Sequence, residues 1–217
     1  KIQDQQTSLE DLNNLNKSII GAFYFYDGKL ALAFKDKKYG FIDTLGTAKI
    51  EYKYDEARPF DNYGLARVKR NNRIFLLDTT KTEYLLADGF SNLSKGMRAL
   101  DDRNKQYDKF PEKVLEFPGL KILLMSGNYI RELPASFYTM INLKVLALNK
   151  NELISLPDSI NHLDTLALLD ISENRLSTLP PALCQLKNLR DLYLSDNYIE
   201  NLLHDFFKLY NLTNLDL

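Results

Sequence analysis

The feature that most constrains this chain is an asparagine that returns every 23 residues. Asn128, Asn151, Asn174 and Asn197 each stand two places before an aliphatic residue: Ile130, Leu153, Leu176 and Ile199. Upstream, three apolar positions recur at the same interval. They are Leu120, Leu123 and Met125, then Leu143, Leu146 and Leu148, then Leu166, Leu169 and Ile171, then Leu189, Leu192 and Leu194. A partial set, Leu212, Leu215 and Leu217, reaches the last residue. Self-similarity at a fixed period of this length decides the architecture before composition does. The alternation within each "LxL" predicts one short strand per unit, with two residues turned inward. The chain then turns and returns along an outer face through its "LP" segment. No unit can cover its own apolar face, so neighbouring units stack into one continuous core. A tight turn after a strand leaves backbone N–H and C=O groups without ladder partners, and an Asn side chain offers two donors and an acceptor. The recurrent asparagine therefore reads as a fold determinant and not as a reactive group.

The unit, L-x-x-L-x-L-x-x-N-x-L-x-x-L-P-x-x-φ-x-x-L-x-x, resembles the leucine-rich repeat (LRR) of the short kind, over residues 97–217. Repeats start near 97, 120, 143, 166, 189 and 212. The resemblance implies an α/β solenoid with a curved parallel β-sheet, and a structural asparagine ladder through Asn128, Asn151, Asn174 and Asn197. Residues 97–119 make a degenerate first repeat, with Asp102 where Met125 predicts an apolar residue and Lys105 in the asparagine column. At the other end Leu203 replaces the proline and the sequence stops in mid-unit, so further repeats or a homodimer mate are expected to cover that end. The Cys-rich caps of many extracellular eukaryotic relatives are missing, which points to a bacterial or intracellular origin.

Residues 21–96 have another rhythm. Thirty-five residues after "LALAFKDKKYGFIDT" comes "LARVKRNNRIFLLDT", with Leu65 matching Leu30, Ala66 matching Ala31 and Asp78 matching Asp43. Each copy alternates, crosses a short polar link (36–38, then 69–73) and alternates again, which is a hairpin signature. Gly46 in "DTLGT" is free to take positive φ in the turn that follows. The pattern resembles the WG repeat, a β-hairpin repeat common in bacterial proteins, and implies a small antiparallel all-β domain. Tyr39 stands where that family has its tryptophan, and Ile74-Phe75 replaces the aromatic-glycine pair in the second copy. "GMRAL" at 96–100 could open a third copy. Ahead of this domain, Thr7 and Glu10 form a capping box before Leu9, Leu12, Leu15 and Ile19 at helical spacing, predicting a short amphipathic helix over 1–20.

Chemistry is sparse. The net charge of −1 argues against nucleic-acid binding, and one cysteine leaves no internal disulfide. Cys184 falls beside core leucines and reads as a passive thiol. His162 and His204 lie 42 residues apart on outer segments, neither with a second His or Cys at metal-ligand spacing. "DGK" at 27–29 lacks the rest of a phosphate loop. No catalytic residue, cofactor or metal is expected. The basic run "ARVKRNNR" at 66–73 reads as a solvated hairpin loop. No apolar stretch is long enough to span a membrane. The first residue is Lys1 and not Met, so the compartment stays open between the cytoplasm and, if a signal peptide preceded it, the periplasm or exterior.

What remains is surface. Residues flanking the inward leucines point to the concave face in columns: Ala99, Ile122, Val145, Leu168, Asp191 and Asn214, beside Asp101, Leu124, Ala147, Asp170, Tyr193 and Asp216. Two further columns follow the strands: Arg103, Ser126, Asn149, Ser172 and Ser195, beside Asn104, Gly127, Lys150, Glu173 and Asp196. Ile122, Leu124, Val145, Ala147 and Leu168 are thus expected to form an outward apolar patch, followed by an acidic, tyrosine-bearing stretch of Asp170, Glu173, Asp191, Tyr193, Asp196 and Asp216. Exposed apolar patches mark interaction sites, and Tyr is a favoured anchor. The expected function is a non-catalytic module or scaffold that binds a protein through this face. Alternatively, the patch is covered by the N-terminal domain or a dimer mate. Two other readings are the sensing part of a larger enzyme or effector, and carbohydrate binding through Tyr24, Tyr26, Tyr39, Tyr52 and Tyr54.

Overall fold

The computed structural model describes residues 22–27, 29–202 and 204–217, so the helix expected over 1–20 and the proline replacement at Leu203 lie outside the described residues. The chain forms two compact units, Lys1–Leu85 and Leu86–Leu217.

In the first unit, β1 (Ala22–Tyr26), β2 (Leu30–Lys35), β3 (Lys38–Ile42) and β4 (Ala48–Tyr54) form an antiparallel sheet in chain order. β5 (Glu56–Ala57), β6 (Leu65–Arg70), β7 (Arg73–Asp78) and the start of β8 (Glu83–Asp88) form a second antiparallel ladder. Leu32, Phe41, Ile50 and Tyr54 from one sheet pack with Ala66, Val68 and Leu77 from the other and with Phe60 from the loop before β6. The links at 36–38 and 69–73 resolve into two-residue turns. Asp36-Lys37 and Asn71-Asn72 all have positive φ, between 48° and 61°. Such turns match the twist of paired strands.

One turn recurs three times in this unit. Asp43 Oδ1 accepts the N–H groups of Leu45 and Thr47, Asp61 Oδ1 those of Tyr63 and Leu65, and Asp78 Oδ1 those of Thr80 and Thr82. The fourth residue is left-handed each time: Gly46, Gly64 and Lys81, with φ of 75°, 69° and 72°. Gly40 answers a different need. A Cβ there would lie 2.6 Å from the Ile50 carbonyl oxygen on β4, where the register shifts. In the second copy the matching pair is β7 with β8, where Phe75 stands opposite Leu85 in an unbroken register, so no glycine is required.

The second unit is the solenoid. β9 (Ala99–Asp101), β10 (Ile122–Leu124), β11 (Val145–Ala147), β12 (Leu168–Asp170), β13 (Asp191–Tyr193) and β14 (Asn214–Asp216) pair in parallel, each with the next. "GMRAL" supplies β9 of this ladder and not a third hairpin copy. Leu86–Asp88 of β8 adds one more parallel strand ahead of β9, so the unit begins before the first leucine of the repeat. Leu100, Leu123, Leu146, Leu169 and Leu192 are fully buried in the shared core.

The return segments hold 3-10 turns at Glu112–Glu116, Ala135–Thr139, Asp158–His162 and Pro181–Gln185, each preceded by proline. The proline is extended, and its carbonyl accepts the first turn bond, as in Phe137 N–H to Pro134 O at 2.9 Å. The few residues between "LP" and the next strand allow one tight turn and no longer helix, which suits the 3-10 form.

Candidate protein-interaction face

The site begins with the turns that aim it. Asn174, buried, accepts the Leu153 N–H at 2.9 Å and donates to the carbonyls of Leu148 and Ile171, both at 3.0 Å. Asn151 accepts from Ile130, and Asn197 from Leu176, in the same way. Asn128 bonds the N–H groups of Lys105 and Tyr107, so the degenerate first repeat is still tied in through its backbone. Asp102, 1% exposed in a column of apolar residues, is satisfied by the Tyr107 hydroxyl at 2.8 Å and the Phe90 N–H at 3.2 Å. Burial and the Asp102 carboxylate push the Tyr107 phenol up to about 12. A second ladder lies before each of β11 to β14. Asn142, Thr165, Asn188 and Asn211 donate to the carbonyls of Pro118, Ile141, Asp164 and Lys187. Sequence reasoning passed over these residues, although they too recur every 23 positions.

Strand register brings the expected columns together. Ile122 pairs with Val145, Val145 with Leu168 and Leu168 with Asp191, while Leu124, Ala147, Asp170 and Tyr193 align beside them. All lie opposite the inward leucines. The open apolar patch, however, is not there. Ile122 is 1% exposed, Leu124 and Ala147 0%, Leu168 5% and Asp170 6%, with Val145 half-buried. Period-two alternation tells which side of a strand a residue faces, and it carries no information on whether that side is covered.

The open part of the face lies further along. Asp191 and Tyr193 are half-buried, and Glu173 and Asp196 are exposed. Glu173 and Asp196 sit just before the ladder asparagines at φ of 52° and 57°, in the same left-handed position as Asn104, Gly127 and Lys150. That geometry turns the chain sharply out of each strand and sets both carboxylates at the rim. Lys150 lies 3.4 Å from Glu173. The Ser172 hydroxyl donates to Asp170 at 2.7 Å and that of Ser195 to Asp216 at 2.8 Å, while Asn214 bonds Asp191. These hydroxyl and amide bonds hold the carboxylates in ordered directions.

Elsewhere the side chains serve packing. Tyr54 is fully buried and donates to Glu83 at 2.7 Å, Tyr26 packs on Phe60, and Tyr39 on Phe34. Tyr52 packs against Ala31, Ala33 and Ile42. Tyr26, Tyr39, Tyr52 and Tyr54 are thus engaged in packing within the first unit, and the Tyr24 side chain lies outside what the structure describes. In the basic run, Lys69 pairs with Glu56 and Arg70 with Glu83. His162 stands over Tyr138 and His204 edge-on to Phe207, both on outer turns. Cys184 is buried, and burial pushes its thiol up, away from the reactive thiolate. Among the described residues no group of three His, Cys, Asp or Glu is placed to hold a metal ion, and no helix is long and apolar enough to cross a membrane.

Residues 118–176 and 164–217 match the leucine rich repeat family, and residues 39–73 match the WG containing repeat. Among solved structures, a leucine-rich-repeat protein of Leptospira interrogans is similar at 33% identity and a TM-score of 0.51, covering 52% of this chain and 29% of its own. Internalin C2 of Listeria monocytogenes is similar at 23% identity and a TM-score of 0.51, covering 56% of this chain and 52% of its own. The internalin inlF of the same organism aligns at 21% identity and a TM-score of 0.50, covering 56% of this chain and 35% of its own. The chain thus spans about half or less of the length of these relatives, and the internalins support the fold alone. Among curated proteins none matches this chain. Leucine-rich repeat solenoids serve in general as protein-interaction modules.

Proposed function

From a chain whose residues 118–217 are leucine-rich repeats and whose residues 39–73 are a WG repeat, we propose a non-catalytic protein-binding module. Its contact surface is the later half of the concave face: Glu173, Asp191, Tyr193 and Asp196, with Asp216 beside them. The observation that carries this reading is the contrast in exposure along one sheet. Ile122, Leu124, Ala147, Leu168 and Asp170 are buried, whereas Glu173 and Asp196 are exposed and Asp191 and Tyr193 half-buried. Buried side chains have no surface to offer, whereas rim carboxylates steer a partner and set its charge preference. An aromatic among polar groups supplies contact area at low entropic cost. The partner surface is accordingly basic.

The test is affinity capture from cells of the source organism with the wild-type chain and with an Asp191→Lys, Asp196→Lys double variant. Captured proteins should fall at least tenfold with the variant, and wild-type capture should weaken with added salt. Unchanged thermal unfolding of the variant keeps the result specific. Equal capture by both chains would sink the acidic face as the contact surface.

A further inference from the structure

We draw no further inference here: the strongest candidate, the apolar band of the concave face around Ile122, Leu124, Ala147 and Leu168, is buried outside the inward leucine core, and nothing among the described residues shows what covers it.

Discussion

Asn174 illustrates how one side chain is tied to the architecture. Its amide satisfies the preceding repeat's Leu153 N–H and the carbonyls of Ile171 in its own repeat and Leu148 in the preceding one, all out of water. Asn174→Ala leaves those groups unpaired, at about 1–3 kcal/mol per buried group. A loss of roughly 3–5 kcal/mol in urea unfolding is expected, against less for the half-buried Asn197→Ala. Equal, small losses at both positions would remove the ladder from the stability account. This role was legible in the sequence, because a buried amide at a fixed period has few other uses. The left-handed residue before each ladder asparagine was not. Gly127, Lys150, Glu173 and Asp196 share one backbone conformation without sharing a residue type, so only the glycine could have signalled it.

Between elements, close approach and charge decide what the strands tolerate. Gly40 faces the backbone of β4 at a distance no side chain can occupy, and the clash is with main chain that cannot rotate away. Gly40→Ala should destabilise the first unit by about 2–4 kcal/mol in a denaturant titration. A change below about 0.5 kcal/mol would mean that the register shift beside it relaxes freely. Glu83 links strands by charge. Tyr54 donates to it, Arg70 bonds it at 2.8 Å and Lys53 lies 3.0 Å away. Burial alone would push its carboxyl up, but the Tyr54 and Lys53 hydrogen bonds with the charges of Lys53 and Arg70 hold it below the ordinary value of 4.5. Its contribution is therefore present above that value and is lost as pH falls below it. Thermal unfolding followed by circular dichroism should drop further between pH 6 and pH 3 for the wild type than for Glu83→Gln. Parallel drops would show that Glu83 contributes nothing to acid sensitivity. The hairpin pattern around these groups was visible as alternation. The Glu83 cluster was not, since it joins residues from three strands with no common spacing.

Across the whole molecule, the same periodicity that places residues on a face is silent about what lies over that face. Leu124 stands opposite Leu123, as alternation requires, and both are fully buried. Leu124→Lys is accordingly expected to lower stability by about 3–5 kcal/mol, because an unpaired ammonium would enter a site without water. Unfolding indistinguishable from the wild type would return Leu124 to the open surface. By itself the sequence determined the repeat length, the inward leucines, the asparagine ladder, the strand columns and the hairpin character of the first half. Those features are local or strictly periodic, and each follows from what one turn or one strand must satisfy. Only the tertiary structure decided that β8 adds a strand before the first leucine repeat, that Asp102 and Tyr107 satisfy each other in the core, and that the accessible part of the concave face is its acidic later half. Each of these depends on groups that meet in space without a fixed separation along the chain, and coverage of a surface is a property of the folded whole.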